Sequence, residues 1–281
     1  MKLCRIGKIG EEKPAIIDKD NSYRDLSSII EDLNPDTLNF NTLEKIKKVD
    51  ISSLPKLDVN LRIGACVSKP SKFIGIGLNF KDHAEEQNLP IPTEPIIFSK
   101  FTSCITGPND PIIVPKGSNH TDWEVELGFV IGKKAINVSV EKAIDHVLGF
   151  FLVNDVSERN FQKNKGLTWD KGKGFDTFGP IGPYIVTRDE LPDFQKIDMF
   201  LDVDGKRMQT GNTEKMIFDI KTLVSYMSSC MSLHPGDICC TGTPPGVGEN
   251  MSPPKYLKGG EEVVLSIDKL GTQKHKVHAY K

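Results

Sequence analysis

The chain has 281 residues, 38% of them hydrophobic and 26% charged, with a formal net charge of −2. That length supports one large domain, or a large and a small one. The near-neutral charge, with Lys and Arg scattered among acids, excludes a nucleic-acid or anionic-membrane binder that works through a global field.

Read in chain order, residues 1–60 suggest a small α/β unit: strand-like pieces at 3–6 and 14–18, then Asp25-Leu-Ser-Ser-Ile-Ile as a short helix. Residues 45–57 are charged and carry Ser52, Ser53 and Pro55, which suits a linker. From residue 61 to 281 the texture changes. Short apolar runs near 73–77, 95–100, 110–115, 124–132, 147–153, 182–186, 199–203, 236–241 and 261–267 alternate with Gly/Pro turns, the pattern of a β-rich α+β fold. One clear helix interrupts it: Met216, Ile220, Leu223, Met227 and Met231 recur at helical spacing and His234-Pro-Gly stops them. The charged start (Lys2, Arg5, Lys8) lacks the apolar segment of a secretory signal, and no run could span a bilayer, so cytoplasm or an organelle matrix is expected. The six cysteines form no C-x-x-C pair and are expected as buried thiols, neither disulfides nor a zinc site.

Five segments carry chemistry. In Asp122-Trp-Glu-Val-Glu-Leu-Gly, Glu124 and Glu126 share one face of a strand that runs on into apolar residues. Two neighbouring anions near a core need a raised pKa or a cation. Alone, the pattern fits the polar face of a half-exposed strand more readily than a metal site. A buried strand through Val147-Leu-Gly-Phe-Phe-Leu-Val delivers Asp155 at its end, and Asp155, Arg159 and Gln162 fall at i, i+4 and i+7 of a short helix. Three carboxylates without a nearby His or Cys pair favour a hard ion such as Mg²⁺ or Mn²⁺ over Zn²⁺. In Gly75-Ile-Gly-Leu-Asn-Phe-Lys-Asp-His-Ala-Glu-Glu, a helix capped by Asn79 sets His83 and Glu86 at i, i+3, an arrangement open both to a carboxylate-held general base and to an exposed surface pair. Lys173 stands among glycines that allow close approach of a ligand, or simply a flexible loop. Thr241-Gly-Thr-Pro-Pro-Gly-Val-Gly is a rigid turn, either structural or offering hydroxyl and amide donors to an anion.

Taken in order, G-L-N-F-x-x-H-x-x-E, D-W-E-V-E-L, N-D-V-S-E-R-x-x-Q, G-K-G-F-D-T-F-G-P-x-G-P, Q-x-G-N-T-x-x-M-I-F and T-G-T-P-P-G-V-G resemble the fumarylacetoacetate hydrolase family over about residues 70 to 270. The resemblance implies a mixed β-roll core, a homodimer, and Mg²⁺, Mn²⁺ or Ca²⁺ held by Glu124, Glu126 and Asp155. It implies His83, Glu86 and Lys173 as catalytic residues, with Arg159, Gln162, Thr241 and Lys100 against an oxo-acid substrate. The implied activity is hydrolytic C–C cleavage of an acylpyruvate, a 2,4-diketo-3-deoxy sugar acid above all. Ureidoglycolate lyase, oxaloacetate decarboxylase and 2-hydroxyhepta-2,4-diene-1,7-dioate isomerase activities use the same kind of site, and a non-catalytic metal-binding protein is the reading of another class. The sequence departs from many members at Phe80, where Tyr is common, and at Phe101, where Pro follows the lysine; both bear on pocket shape.

Overall fold

The computed structural model describes all 281 residues. Thirteen strands of three or more residues form, in chain order, β1 (Lys2–Ile6), β2 (Lys13–Ile17), β3 (Tyr23–Asp25), β4 (Phe73–Gly77), β5 (Ile96–Lys100), β6 (Val125–Ile131), β7 (Val147–Asn154), β8 (Ile185–Thr187), β9 (Asp198–Val203), β10 (Lys206–Asn212), β11 (Ile238–Cys240), β12 (Glu262–Ile267) and β13 (Gly271–His278). Besides a four-residue helix at Val140–Ala143, the α-helices are α1 (Phe40–Lys47), α2 (Lys81–Glu86), α3 (Arg159–Asn164), α4 (Asp170–Lys173) and α5 (Ile220–Cys230).

A nine-stranded mixed sheet runs β3-β2-β1-β8-β7-β6-β11-β4-β5. Every residue of β6 and β7 is buried, which is why both read as unbroken apolar runs. A second sheet, β10-β9-β12-β13 with the short strand Ile112–Ile113 at its edge, lays β9 and β12 against β6, and β12 and β13 against β7. The fold is thus a β-rich assembly of mixed sheets with few helices. Strands β10 and β13 escaped the sequence reading because their outward residues are polar: β13 alternates exposed and buried positions, with Gln273, His275 and Val277 facing in.

The first 60 residues join this frame. Strand β1 pairs with β8 (Leu3 opposite Ile185), and Leu3, Leu26, Leu33 and Ile46 belong to the same core cluster as Phe129. Arg62 bonds Glu12 at 2.7 Å and Asp110 at 2.7 Å, lacing the two segments together. The helix expected at 25–30 is absent, since Asp25 ends β3 and turns follow it. The stretch read as a linker holds the end of α1 and a 3-10 turn, Ile51–Ser53, and returns backbone bonds to β3 from Pro55 and Leu57. The helix expected from the Met216–Met231 stripe forms as α5, but only over Ile220–Cys230: the Asp219 side chain caps it on the Thr222 amide, and Met216 and Met231 fall just outside it.

Candidate active site

The antiparallel pairing of β6 with β7 builds the site. Its register sets Val125 opposite Asn154, and the Asp155 amide donates to the Glu124 carbonyl at 2.9 Å. Residues 31 apart in sequence thus become neighbours. Glu124, Glu126 and Asp155 are all buried, Asp155 completely. Asp155 therefore sits at a strand end, outside the short helix expected to carry it; Arg159 and Gln162 do lie on α3, where the Arg159 Nη1 donates to the Gln162 Oε1 at 3.1 Å.

Three buried cations enter from other elements. Lys173, at the end of α4, reaches Glu124 Oε2 at 2.7 Å and Asp155 Oδ2 at 2.8 Å. Lys100, at the end of β5, reaches Asp155 Oδ1 at 2.6 Å. Arg159 holds Glu124 Oε1 at 2.7 Å and Asp122 Oδ2 at 2.8 Å, leaving Nη2 buried with no partner. Burial opposes the charge of Lys173, but Asp155 and Glu124 outweigh it and hold the ammonium protonated. Burial likewise works against the Glu124 carboxylate, and Lys173 and Arg159 outweigh it, keeping Glu124 well below the usual carboxylate range.

Glu126 is the exception. Its carboxylate accepts a bond from the Gly242 amide at 2.7 Å and has no cation beside it. Burial, then the charges of Asp155 and Glu124, push its carboxyl well above the ordinary 4.5. Four buried acids (Asp122, Glu124, Glu126, Asp155) face three buried cations (Lys100, Arg159, Lys173), so the fully ionised cluster lacks one positive charge, which the raised Glu126 carboxyl makes good with a proton. Oxygen atoms of Glu126 and Asp155 and the Cys240 sulfur lie within 4.8 Å of one another, a group able to hold a metal ion. Burial, then Glu126 and Asp155, raise the Cys240 thiol, which keeps it protonated and leaves oxygen as the donor type. Carboxylate donors with missing positive charge fit a hard cation. Glu124, expected as the third ligand, is turned here toward Arg159 and Lys173.

A cation taking the Glu126 oxygen must displace its proton. The proton is held below the raised value and lost above it, so apparent metal affinity is expected to strengthen as pH rises through that value. Calorimetry over a pH series should show proton release on binding and an affinity that weakens as the pH is lowered below that value; a pH-independent Kd would contradict the assignment.

Across the pocket, α2 presents His83, which is almost fully buried rather than an exposed surface histidine, while its partner Glu86 stays exposed. His83 Nδ1 donates to Glu86 Oε2 at 2.9 Å, and Glu86 is fixed by the Gly246 amide at 3.1 Å and Asn250 Nδ2 at 3.0 Å. Gln87 Nε2 donates to His83 Nε2 at 2.8 Å. Asn79 does not cap α2. Its side chain bonds the backbone of Phe218 and Thr241, tying β4 to the turn after β11. That turn gives its amides to the protein's own acids: Gly242 to Glu126, Gly246 to Glu86, Gly248 to Asp122. The Thr241 hydroxyl donates to the Leu127 carbonyl, so Gly242 and Thr243 line the pocket in its place. Lys100 lies beneath the pocket floor.

The pocket encloses about 220 Å³ and brings together Glu124, Glu126, Arg159, Gln162, Lys173 and His83. Sequence reasoning had not singled out Asp122, Gln87 or Cys240; Asp122 was part of the quoted motif, but its buried pairing with Arg159 links residues 37 apart and leaves no local signal. One glycine shapes the wall. A Cβ at Gly77 would stand 2.2 Å from the Trp169 ring. Gly77→Ala is expected to displace that ring, at a cost of about 1–3 kcal/mol, and to shift the emission of one of the chain's two tryptophans; an unaltered spectrum and Tm would refute the contact.

These features define the class. The model of the fumarylacetoacetate (FAA) hydrolase C-terminal domain matches residues 72–278, and the chain belongs to that family. A protein of Burkholderia ambifaria, named no more specifically than hydrolase, is 54% identical over 274 residues, 97% of each chain. Among solved structures, the 2-hydroxyhepta-2,4-diene-1,7-dioate isomerase of Mycobacterium marinum is 30% identical with a TM-score of 0.77 over 99% of this chain and 98% of its own. The maleylpyruvate hydrolase of Sphingobium sp. SYK-6, solved with manganese(II) and pyruvate, is 25% identical with a TM-score of 0.83 over the whole of both chains. The chain is thus an enzyme of a family of hydrolases and isomerases, and no helix in it is long and apolar enough to cross a membrane.

Proposed function

We propose that the protein is a metal-dependent hydrolase that cleaves the C3–C4 bond of an acylpyruvate, releasing pyruvate and a second acid. One observation carries the reading: a carboxylate-held histidine, His83 on Glu86, shares a pocket with the cation-deficient acidic floor. Glu124, Glu126 and Asp155 would hold Mg²⁺, with Mn²⁺ or Ca²⁺ as alternatives. When bound, that ion supplies fixed positive charge for the carboxylate and 2-oxo end of the substrate and for the enolate left by cleavage. The Mn²⁺ and pyruvate of the Sphingobium hydrolase support this choice.

The chain's own residues divide the remaining work. Arg159, with Nη2 unpartnered, and Gln162 receive the substrate carboxylate. Glu86 accepts a hydrogen bond from the Nδ1–H of His83, so the lone pair sits on Nε2, where it takes a proton from water attacking the C4 carbonyl. The C3–C4 electron pair passes into the pyruvate half, and the proton held by His83 is available to C3. Lys173, kept protonated, stabilises the negative charge that develops there, as a preorganised donor does. Gln87 covers Nε2 and must yield it before water can bind there.

The test is a panel. Magnesium-loaded enzyme is incubated with acylpyruvates, a 2,4-diketo-3-deoxy sugar acid, oxaloacetate, ureidoglycolate and a 2-hydroxydienedioate, and released pyruvate or glyoxylate is measured. Pyruvate from an acylpyruvate is expected. Isomerisation of the dienedioate without pyruvate release would move the protein to the isomerase branch, and no turnover of any compound would support a metal-binding protein without catalysis.

A further inference from the structure

The walls of the pocket differ in character from its floor. Above Glu124, Glu126, Arg159 and Lys173, the cavity is bounded by Leu78, Leu89, Ile96, Phe98, Trp169 and Val247. Phe98 and Trp169 form a tilted aromatic pair with centroids 5.6 Å apart. Leu89 and Ile96 remain 46% and 36% exposed at the rim, and Leu167, fully exposed, continues the apolar strip beyond Ile96. Two polar groups near this end are already engaged: the Thr243 hydroxyl donates to the Val125 carbonyl, and Lys163 is neutralised by Glu249 at 2.6 Å.

We propose that the half of the substrate beyond C4 is an uncharged apolar acyl group, an alkyl chain of several carbons or an aryl ring; the inference rests on the acylpyruvate reading of the same site. A sugar-derived acyl half would bring several hydroxyls against walls made mostly of apolar side chains, and buried hydroxyls without partners are disfavoured. A dicarboxylic acyl half would bring a second anion to a wall whose single cation is already paired with an acid. An apolar chain instead removes Leu89, Ile96 and Trp169 from water along with itself.

The experiment compares kcat/KM for pyruvate release by the magnesium-loaded enzyme from acetylpyruvate, hexanoylpyruvate, benzoylpyruvate, fumarylpyruvate and a 2,4-diketo-3-deoxy sugar acid. Hexanoylpyruvate or benzoylpyruvate is expected to exceed acetylpyruvate by at least about 10-fold, since one methylene in an apolar pocket discriminates by about 10- to 200-fold. Either should also exceed the dicarboxylic and polyhydroxylated compounds. Ile96→Asp and Leu89→Asp, both at partly exposed positions, should cut the hexanoyl-to-acetyl ratio by about 10-fold or more. A best substrate that is polyhydroxylated or dicarboxylic, a flat series, or an unchanged ratio in both variants overturns the apolar acyl site while leaving the acylpyruvate reaction in place. Absence of pyruvate from every compound overturns the reaction itself.

Discussion

Replacing His83 by alanine is expected to lower kcat/KM for pyruvate release by about 10²- to 10⁴-fold, the range for loss of a positioned general base. Divalent metal should still bind. The prediction follows from the separation of tasks within the pocket: His83 is held by Glu86 and Gln87 at the end of α2, whereas the acids that would hold the metal lie just before β6, on β6 and after β7 and take none of their hydrogen bonds from His83. Titration of metal into the variant, followed by heat stability, checks the second half. Glu86→Gln should give a smaller loss, because an amide can still accept from Nδ1 but no longer offsets the imidazolium charge. Full turnover in His83→Ala would remove histidine from the mechanism, and loss of metal binding together with turnover would show that α2 holds the acidic floor in place.

Lys173→Met is expected to be costly twice over. It removes the ammonium that bridges Glu124 and Asp155, so four buried acids would face two cations. Breaking a buried pair from one side typically costs about 3–5 kcal/mol, which at this size lowers Tm by roughly 10 °C. Loss of the donor to the developing enolate should lower kcat by a further factor of about 10² to 10³. The two effects separate experimentally. Added Mg²⁺ should raise Tm more in the variant than in the wild type, since the ion restores part of the missing charge, while kcat stays low. A variant equally stable without metal, or one whose turnover recovers with Mg²⁺, would refute the bridging role.

How far such a site is legible in advance depends on how local its contacts are. The His83–Glu86 contact lies within one helical turn, and i, i+3 spacing announces it. The acids at 124 and 126 are announced by strand alternation, and Asp155 by the apolar run that ends beside it. One local inference failed because of distant partners. Asn79 looked like a helix cap, yet its side chain bonds the backbone of Phe218 and Thr241 more than a hundred residues away, and the Thr241 hydroxyl is likewise engaged by the Leu127 carbonyl. A side chain able to bond locally does so only if no distant backbone group needs it more.

By itself the sequence determined the class of protein, through the order of its motifs. It also determined the β-rich texture, through apolar runs of strand length, and singled out Glu124, Glu126 and His83, which line one pocket. Tertiary structure alone decided which charges meet. The β6–β7 register, and the arrival of Lys100, Lys173 and Arg159 from three other elements, fixed which acids are neutralised and left Glu126 without a cation. It also decided that the first strands extend the main sheet and that apolar side chains from β4, β5 and the segment before α4 wall one pocket. The physical reason is the range of the interactions. Periodicity and i, i+3 contacts act within a few residues, whereas Coulombic pairing and burial act between groups that only the completed sheet brings within a few ångströms.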